Sequence, residues 1–137
     1  MMDHVTAGLR AFVRRQAKRR CEYCLSHEAD ASVAHEPNHI IARKHRGATA
    51  ADNLAWACAA CNGQKGTDIA SIDPETEKLV RLFHPRTDDW AFHFRLEGAV
   101  IVSLTAVARV TEFLLQLNRF DRVANRLWLL KAGRYPG

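Results

Sequence analysis

Apolar positions at the start of the chain recur with a helical period. Val5, Leu9, Phe12 and Val13, followed by Gln16-Ala17, fall near i, i+4, i+7 and i+8, which predicts an amphipathic helix over residues 3–19. Its other face carries Arg10, Arg14, Arg15 and Lys18, with Arg19-Arg20 directly after, and is either solvated or placed to contact phosphate. Residues 25–36 are polar, rich in Ala and His and without periodicity, as a loop or a short helical turn would be. After Pro37 the Ile-rich run Asn38 to Ala42 predicts a short strand. Arg43 to Asp52 reads as a basic, Gly-containing loop and Asn53 to Ala57 as the returning strand. A short helix is expected from Cys58, ending near Gly66. Strand, loop, strand, helix is a compact ββα unit.

The second half of the chain is patterned less sharply. Asp73-Pro74-Glu75-Thr76 is a turn signal and Lys78 to Phe83 reads as a strand. Phe92 to Leu96 and Ala99 to Leu104 flank Glu97-Gly98, a two-residue hairpin connection. Thr105 to Leu117 has helical apolar spacing through Val107, Val110, Phe113, Leu114 and Leu117. A further helix is expected from Phe120 to Lys131, with Asp121 near its start and Gly133 as its stop. No internal repeat, low-complexity tract or linker interrupts the chain. The expectation is one α+β domain over residues 1–137, a ββα core carrying an N-terminal helix and, behind it, a small antiparallel sheet plus helices.

Composition narrows the class. At 137 residues, with 47% hydrophobic and 26% charged residues, the chain matches an ordinary globule that can bury its own core. No apolar run approaches the ~18 residues of a membrane span and the N-terminus lacks an apolar signal region, so a cytoplasmic location is expected. Net charge is +5, a mild bias towards a polyanionic partner. All 4 cysteines fall in two pairs, Cys21-x2-Cys24 and Cys58-x2-Cys61. In a reducing compartment such pairs favour metal over disulfides, and two knuckles make a tetrahedral, four-thiolate zinc site with no open position for chemistry. A plain zinc ribbon separates its pairs by roughly 15–20 residues. The segment here is about twice as long and so holds structure of its own, including His39, Asn53 and, just after the last cysteine, Asn62.

The run Asn38-His39-Ile40-Ile41, the step Asp52-Asn53-Leu54 and the ending Cys58-x2-Cys61-Asn62-x2-Lys65-Gly66 together resemble an HNH endonuclease of the zinc-bound, HNN-type class. Leu82-Phe83-His84-Pro85-Arg86-Thr87-Asp88 and Trp90 are similar to the C-terminal extension of a bacterial and phage subgroup. The resemblance implies a ββα-metal nuclease that hydrolyses phosphodiester bonds of DNA, leaving 5′-phosphate and 3′-hydroxyl ends. It places His39 as the general base on a water, Asn53 as the residue that holds the loop and so orients the base, and Asn62 as a ligand of one divalent cation, Mg²⁺ in the cell. Lys65, Arg43, Lys44, His45 and Arg46 are candidate phosphate contacts. Neither a membrane nor a small-molecule substrate is implied, and sequence preference is expected to be modest.

One position departs from the family pattern. Where the family has Asp or Glu before the first His, this chain has Asn38, whose amide oxygen bears no full charge. A hard cation binds more weakly to Asn38 plus Asn62 than to a carboxylate plus Asn. Three outcomes stay open. The cation leans on the DNA phosphate, or His35, Glu36 or His45 adds a ligand, with Mn²⁺ or Ni²⁺ then favoured over Mg²⁺; otherwise cleavage is slow or lost. The rival reading is therefore a zinc-stabilised nucleic-acid-binding module. A third takes the cysteines as a redox switch.

Overall fold

The computed structural model describes residues 4–137. Helix α1 spans Ala7–Gln16, shorter than the 3–19 expected, and residue 3 lies outside the described residues. Thr6 starts it, the side chain accepting a hydrogen bond from Leu9 N–H, and it ends where Lys18 and Arg19 turn into the left-handed region at φ 56° and 62°. Strand β1 is Glu36–His39 and pairs antiparallel with β2, Leu54–Ala57, in the register Asn38 opposite Ala55 and His39 opposite Leu54. The first strand thus begins two residues before the Asn38 start expected and includes Pro37; a two-stranded sheet has only edges, so the missing N–H of Pro37 is tolerated. Helix α2 is Ala59–Lys65 with Cys58 as its N-cap, and the chain leaves it at Gly66, φ 50°. The ββα unit of the sequence reading is present.

Burial explains how this unit is held. All four residues of β2 are buried: Leu54 and Trp56 face Val13 and Ala17 of the N-terminal segment, while Ala55 and Ala57 join the larger core built with the C-terminal half. Period-two alternation sends the two sets to opposite faces, and here both faces are covered. Two arginines on the polar side of α1, Arg10 and Arg14, turn inward to protein partners, while Arg15 is exposed. The Arg14 guanidinium makes a bidentate pair with Glu28, and that arginine holds the Glu28 carboxyl below its usual range. Arg10 lies 4.9 Å over the Trp56 ring and donates to the His35 carbonyl.

Behind the unit, β3 (Ala70–Ile72) pairs with β4 (Leu79–Arg81), and β5 (Phe94–Glu97) pairs with β6 (Val100–Ser103). The C-terminal strands make two separate two-stranded sheets. The Asp73 turn joins the first pair; its carboxylate accepts from Thr76 N–H and Oγ1 and takes a bidentate Arg109, which holds it well below the carboxylate range and ties the turn to the helix that carries Arg109. Residues 92–93, read as the start of a strand, instead end a short helix α3, Trp90–His93, and the hairpin loop is Gly98-Ala99, one residue later than expected. Helices α4 (Ala106–Leu115) and α5 (Phe120–Lys131) fall where the apolar spacing put them, with Gly133 at φ 73° beyond the last turn. No helix among the described residues is long and apolar enough to cross a membrane.

The basic loop between β1 and β2 doubles back on itself. It makes a 3-10 turn at Arg43–His45, passes Arg46 in the left-handed region at φ 72°, and brings Gly47 N–H onto the Ala42 carbonyl. A Cβ on Gly47 would sit 1.7 Å from the Ile41 carbonyl oxygen, so only glycine fits. Gly63, in α2, has nothing within 4 Å of its would-be Cβ. Gly47→Ala is expected to lower stability by at least about 1–3 kcal/mol, whereas Gly63→Ala raises it by about 0.5–1 kcal/mol. Thermal melts of the two variants check this pair.

Candidate active site and metal centre

The two knuckles come together through backbone turns. Tyr23 and Cys24 N–H point at Cys21 Sγ, and Cys61 N–H points at Cys58 Sγ, the same contact that caps α2. The four sulfurs lie within 4.8 Å of one another and all four residues are buried. Cys24 and Cys58 Sγ are 3.7 Å apart and no disulfide forms. Sulfurs of a tetrahedral zinc site with ~2.3 Å bonds are about 3.8 Å apart, so the donor set fits zinc. Burial pushes the Cys21 and Cys61 thiols up, whereas hydrogen bonding from Cys21 draws those of Cys24 and Cys58 down. The cluster fixes α2 to the turn that follows α1.

The C-terminal half completes the surroundings of this cluster. Arg122, 9% exposed on α5, donates to Cys61 Sγ at 3.0 Å and to the Leu115 and Gln116 carbonyls that end α4. Burial works against its charge, yet the Cys61 and Cys24 sulfurs outweigh that and raise its pKa. Tyr135 hydroxyl donates to the Cys24 carbonyl and Trp90 Nε1 to the Tyr23 carbonyl. Four thiolates around Zn²⁺ would carry a net double negative charge, of which the Arg122 guanidinium would offset half. No sequence pattern marked Arg122; it reads as one more basic residue of a terminal helix.

On the other side of α2, a cleft of about 310 Å³ opens between β1, the basic loop and the helix, lined by Asn38, His39, Arg43, Lys44 and Asn62 among others. Asn38 and His39 come from the end of β1 and Asn62 from the first turn of α2. Asn38 Nδ2 donates to Asn62 Oδ1 at 2.7 Å, and Asn38 Oδ1 is buried with no hydrogen-bond partner. The His39 ring is held at Nε2 by Thr49 Oγ1, 2.8 Å away. Thr49 sits in the loop that Asn53 clasps: Asn53 Nδ2 donates to the Ile41 and Ala48 carbonyls and its Oδ1 accepts from Ile41 N–H. One side chain therefore spans the loop at both ends. Thr49 is a lone hydroxyl among alanines, and no residue pattern singles it out.

Several expected residues do other things. Lys65 is 1% exposed, and its ammonium donates to the His39 carbonyl at 3.0 Å; a surface phosphate contact is not open to it, which corrects the sequence reading. None of the three spare ligands considered for a cation lines the cleft. His35 is buried beside Trp56 with Nε2 on the Ser26 carbonyl, Glu36 pairs with Arg10, and His45 is exposed on the loop. Arg43, Lys44, His45 and Arg46 form an exposed basic rim. Among the described residues the four cysteines are the one group of three or more His, Cys, Asp or Glu side chains placed to hold a metal. For a second, hard cation the donors at hand are the two amide oxygens, one of them orphaned, which fits weak ligation.

The family model described as HNH endonuclease matches residues 21–68, the segment from the first knuckle to just past α2. No curated protein and no solved structure matches the chain.

Two measurements probe these contacts. Burial pushes the Lys65 pKa down to about 8, against the pull of the Asp68 charge. Between pH 8 and 10 the unfolded chain keeps a proton on Lys65 that the folded chain has released, so wild type gains stability with rising pH relative to Lys65→Met. Denaturant titrations of both proteins across that range read the difference. Arg122→Gln is expected to weaken zinc retention about 10- to 100-fold, seen as faster transfer to a colorimetric chelator, with exposed Arg119→Gln close to wild type.

Proposed function

We propose, from the match of residues 21–68 to the HNH endonuclease model, that the protein is a metal-dependent DNA endonuclease. The observation that carries the proposal is the convergence of Asn38, His39 and Asn62 on one cleft walled by Arg43 and Lys44. His39 is the general base: its imidazole takes the proton of the attacking water. Thr49 and the loop locked by Asn53 fix the direction of that ring, and Lys65 holds the His39 backbone from behind, so Asn53, Thr49 and Lys65 are positioning residues. Asn38 and Asn62 are the side chains that would hold one divalent cation, Mg²⁺, Mn²⁺ or Ni²⁺. Such a cation supplies Lewis-acid stabilisation at the phosphate and the departing 3′-oxygen. Arg43, Lys44, His45 and Arg46 hold the DNA backbone by charge rather than by base contacts. The zinc held by the four cysteines is structural.

A second reading is favoured by one observation. The amides of Asn38 and Asn62 bond to each other, and no carboxylate among the described residues lines the cleft, as suits a zinc-stabilised module that binds nucleic acid without cutting it. Plasmid relaxation with Mg²⁺, Mn²⁺ or Ni²⁺ decides between them. Wild type is expected to nick or linearise supercoiled DNA, and His39→Ala to cut about 10²-fold more slowly or less while retaining zinc. DNA binding with no cutting at any cation, in wild type, selects the second reading.

A further inference from the structure

We infer that helix α5 is the interface of a dimer: a second copy of this chain docks on its outer face, the two helices antiparallel across a twofold axis. This pairing does not depend on what the cleft does. An amphipathic surface helix ordinarily buries its apolar stripe and leaves its charges outside. Helix α5 does the reverse. Its buried residues are Arg122 and Arg126, which donate to the Leu115 and Ala99 carbonyls. Phe120, Leu127 and Trp128 are 88%, 43% and 76% exposed. Spacing of i, i+4, i+7, i+8 and i+11 puts Phe120, Ala124, Leu127, Trp128 and Lys131 on one face of the helix, turned away from the two arginines.

Area, symmetry and charge select a second copy as the occupant. A large aromatic residue covers about 150–250 Å², so at these exposures the stripe, with Leu130 at its edge, offers roughly 450 Å² per protomer. An apolar patch of that size on a soluble protein is often functional. Two such faces, with Asp121, Ala124 and Lys131 around them, reach the ~1,000 Å² that a specific pair needs. An interface on a twofold axis must also be complementary to itself. Phe120 and Trp128 lie equally far along the helix on either side of Ala124. Antiparallel helices crossing at Ala124 therefore set each Phe120 beside the partner's Trp128, and the small side chain at the crossing lets the helices approach. Asp121 and Lys131 are exposed at opposite ends of α5, and antiparallel pairing turns each towards its opposite charge on the partner. A polyanion fits this face poorly: Arg119 is held by Asp121, and both arginines within the helix face inward.

The test is sedimentation equilibrium of the zinc-loaded full chain, from micromolar to several hundred micromolar. The weight-average mass is expected to climb from that of one chain towards that of two. Phe120→Ser and Trp128→Ser each weaken the association about 10-fold or more, whereas Leu79→Ser, also exposed but on β4, leaves it unchanged. Asp121→Lys and Lys131→Asp each weaken it as well, and the two together restore it, as antiparallel pairing requires. Circular dichroism and zinc content check that every variant is folded. A single-chain mass at all concentrations overturns the inference. So does association that survives Trp128→Ser, falls equally with Leu79→Ser, or is not restored by the double exchange. A single-chain protein that floats with phosphatidylserine-containing vesicles, and stops doing so in Trp128→Ser, overturns it in favour of a lipid surface.

Discussion

Four cysteine thiols buried within 4.8 Å of one another are the constraint on which the rest of the structure depends. Without a cation they are a poor core, since buried polar sulfur ligands gain little from each other; around a tetrahedral ion they become a rigid joint. Cys58 belongs to the cluster and is also the N-cap of α2, so an ion held there would fix where that helix starts and how it is rotated. One turn along, Asn62 faces the cleft, and Lys65 reaches back to the His39 carbonyl. Restraint passes from the sulfurs through one seven-residue helix to the proposed base.

A short helix of this kind has little stability of its own. The C-terminal half makes up for that by packing α4 against it and by placing Arg122 against the Cys61 sulfur. A buried guanidinium beside thiolates is costly alone and favourable as a counter-charge. The ββα unit is therefore enclosed on both faces, by α1 on one and the C-terminal hairpins and helices on the other. Its cleft edge is left facing solvent.

That edge carries the two amides of Asn38 and Asn62 beside an exposed basic rim at Arg43, Lys44 and Arg46. The loop that carries the rim is held by Asn53 from inside and needs glycine at residue 47 for the backbone to pass the Ile41 carbonyl.

The knuckles, the ββα order, α4 and α5, the hairpin at Gly98 and the Asp73 turn were all legible in the residues, because each depends on spacing or on backbone preference within a few positions. His39, Asn38, Asn53 and Asn62 were singled out through the resemblance to the HNH family, and Asn38, His39 and Asn62 line one cleft. Tertiary structure decided what spacing does not contain. It turned Lys65, a surface charge by type, into a buried strut on His39, and drew Arg10 and Arg14 inward to Trp56 and Glu28. It chose Thr49 to hold the His39 ring and Arg122 to face the sulfurs, and it moved His35 and Glu36 away from the cleft. Long charged side chains span several ångströms, and their partners lie far away along the chain. Their roles are set by which surfaces the fold brings together, not by the residues beside them in sequence.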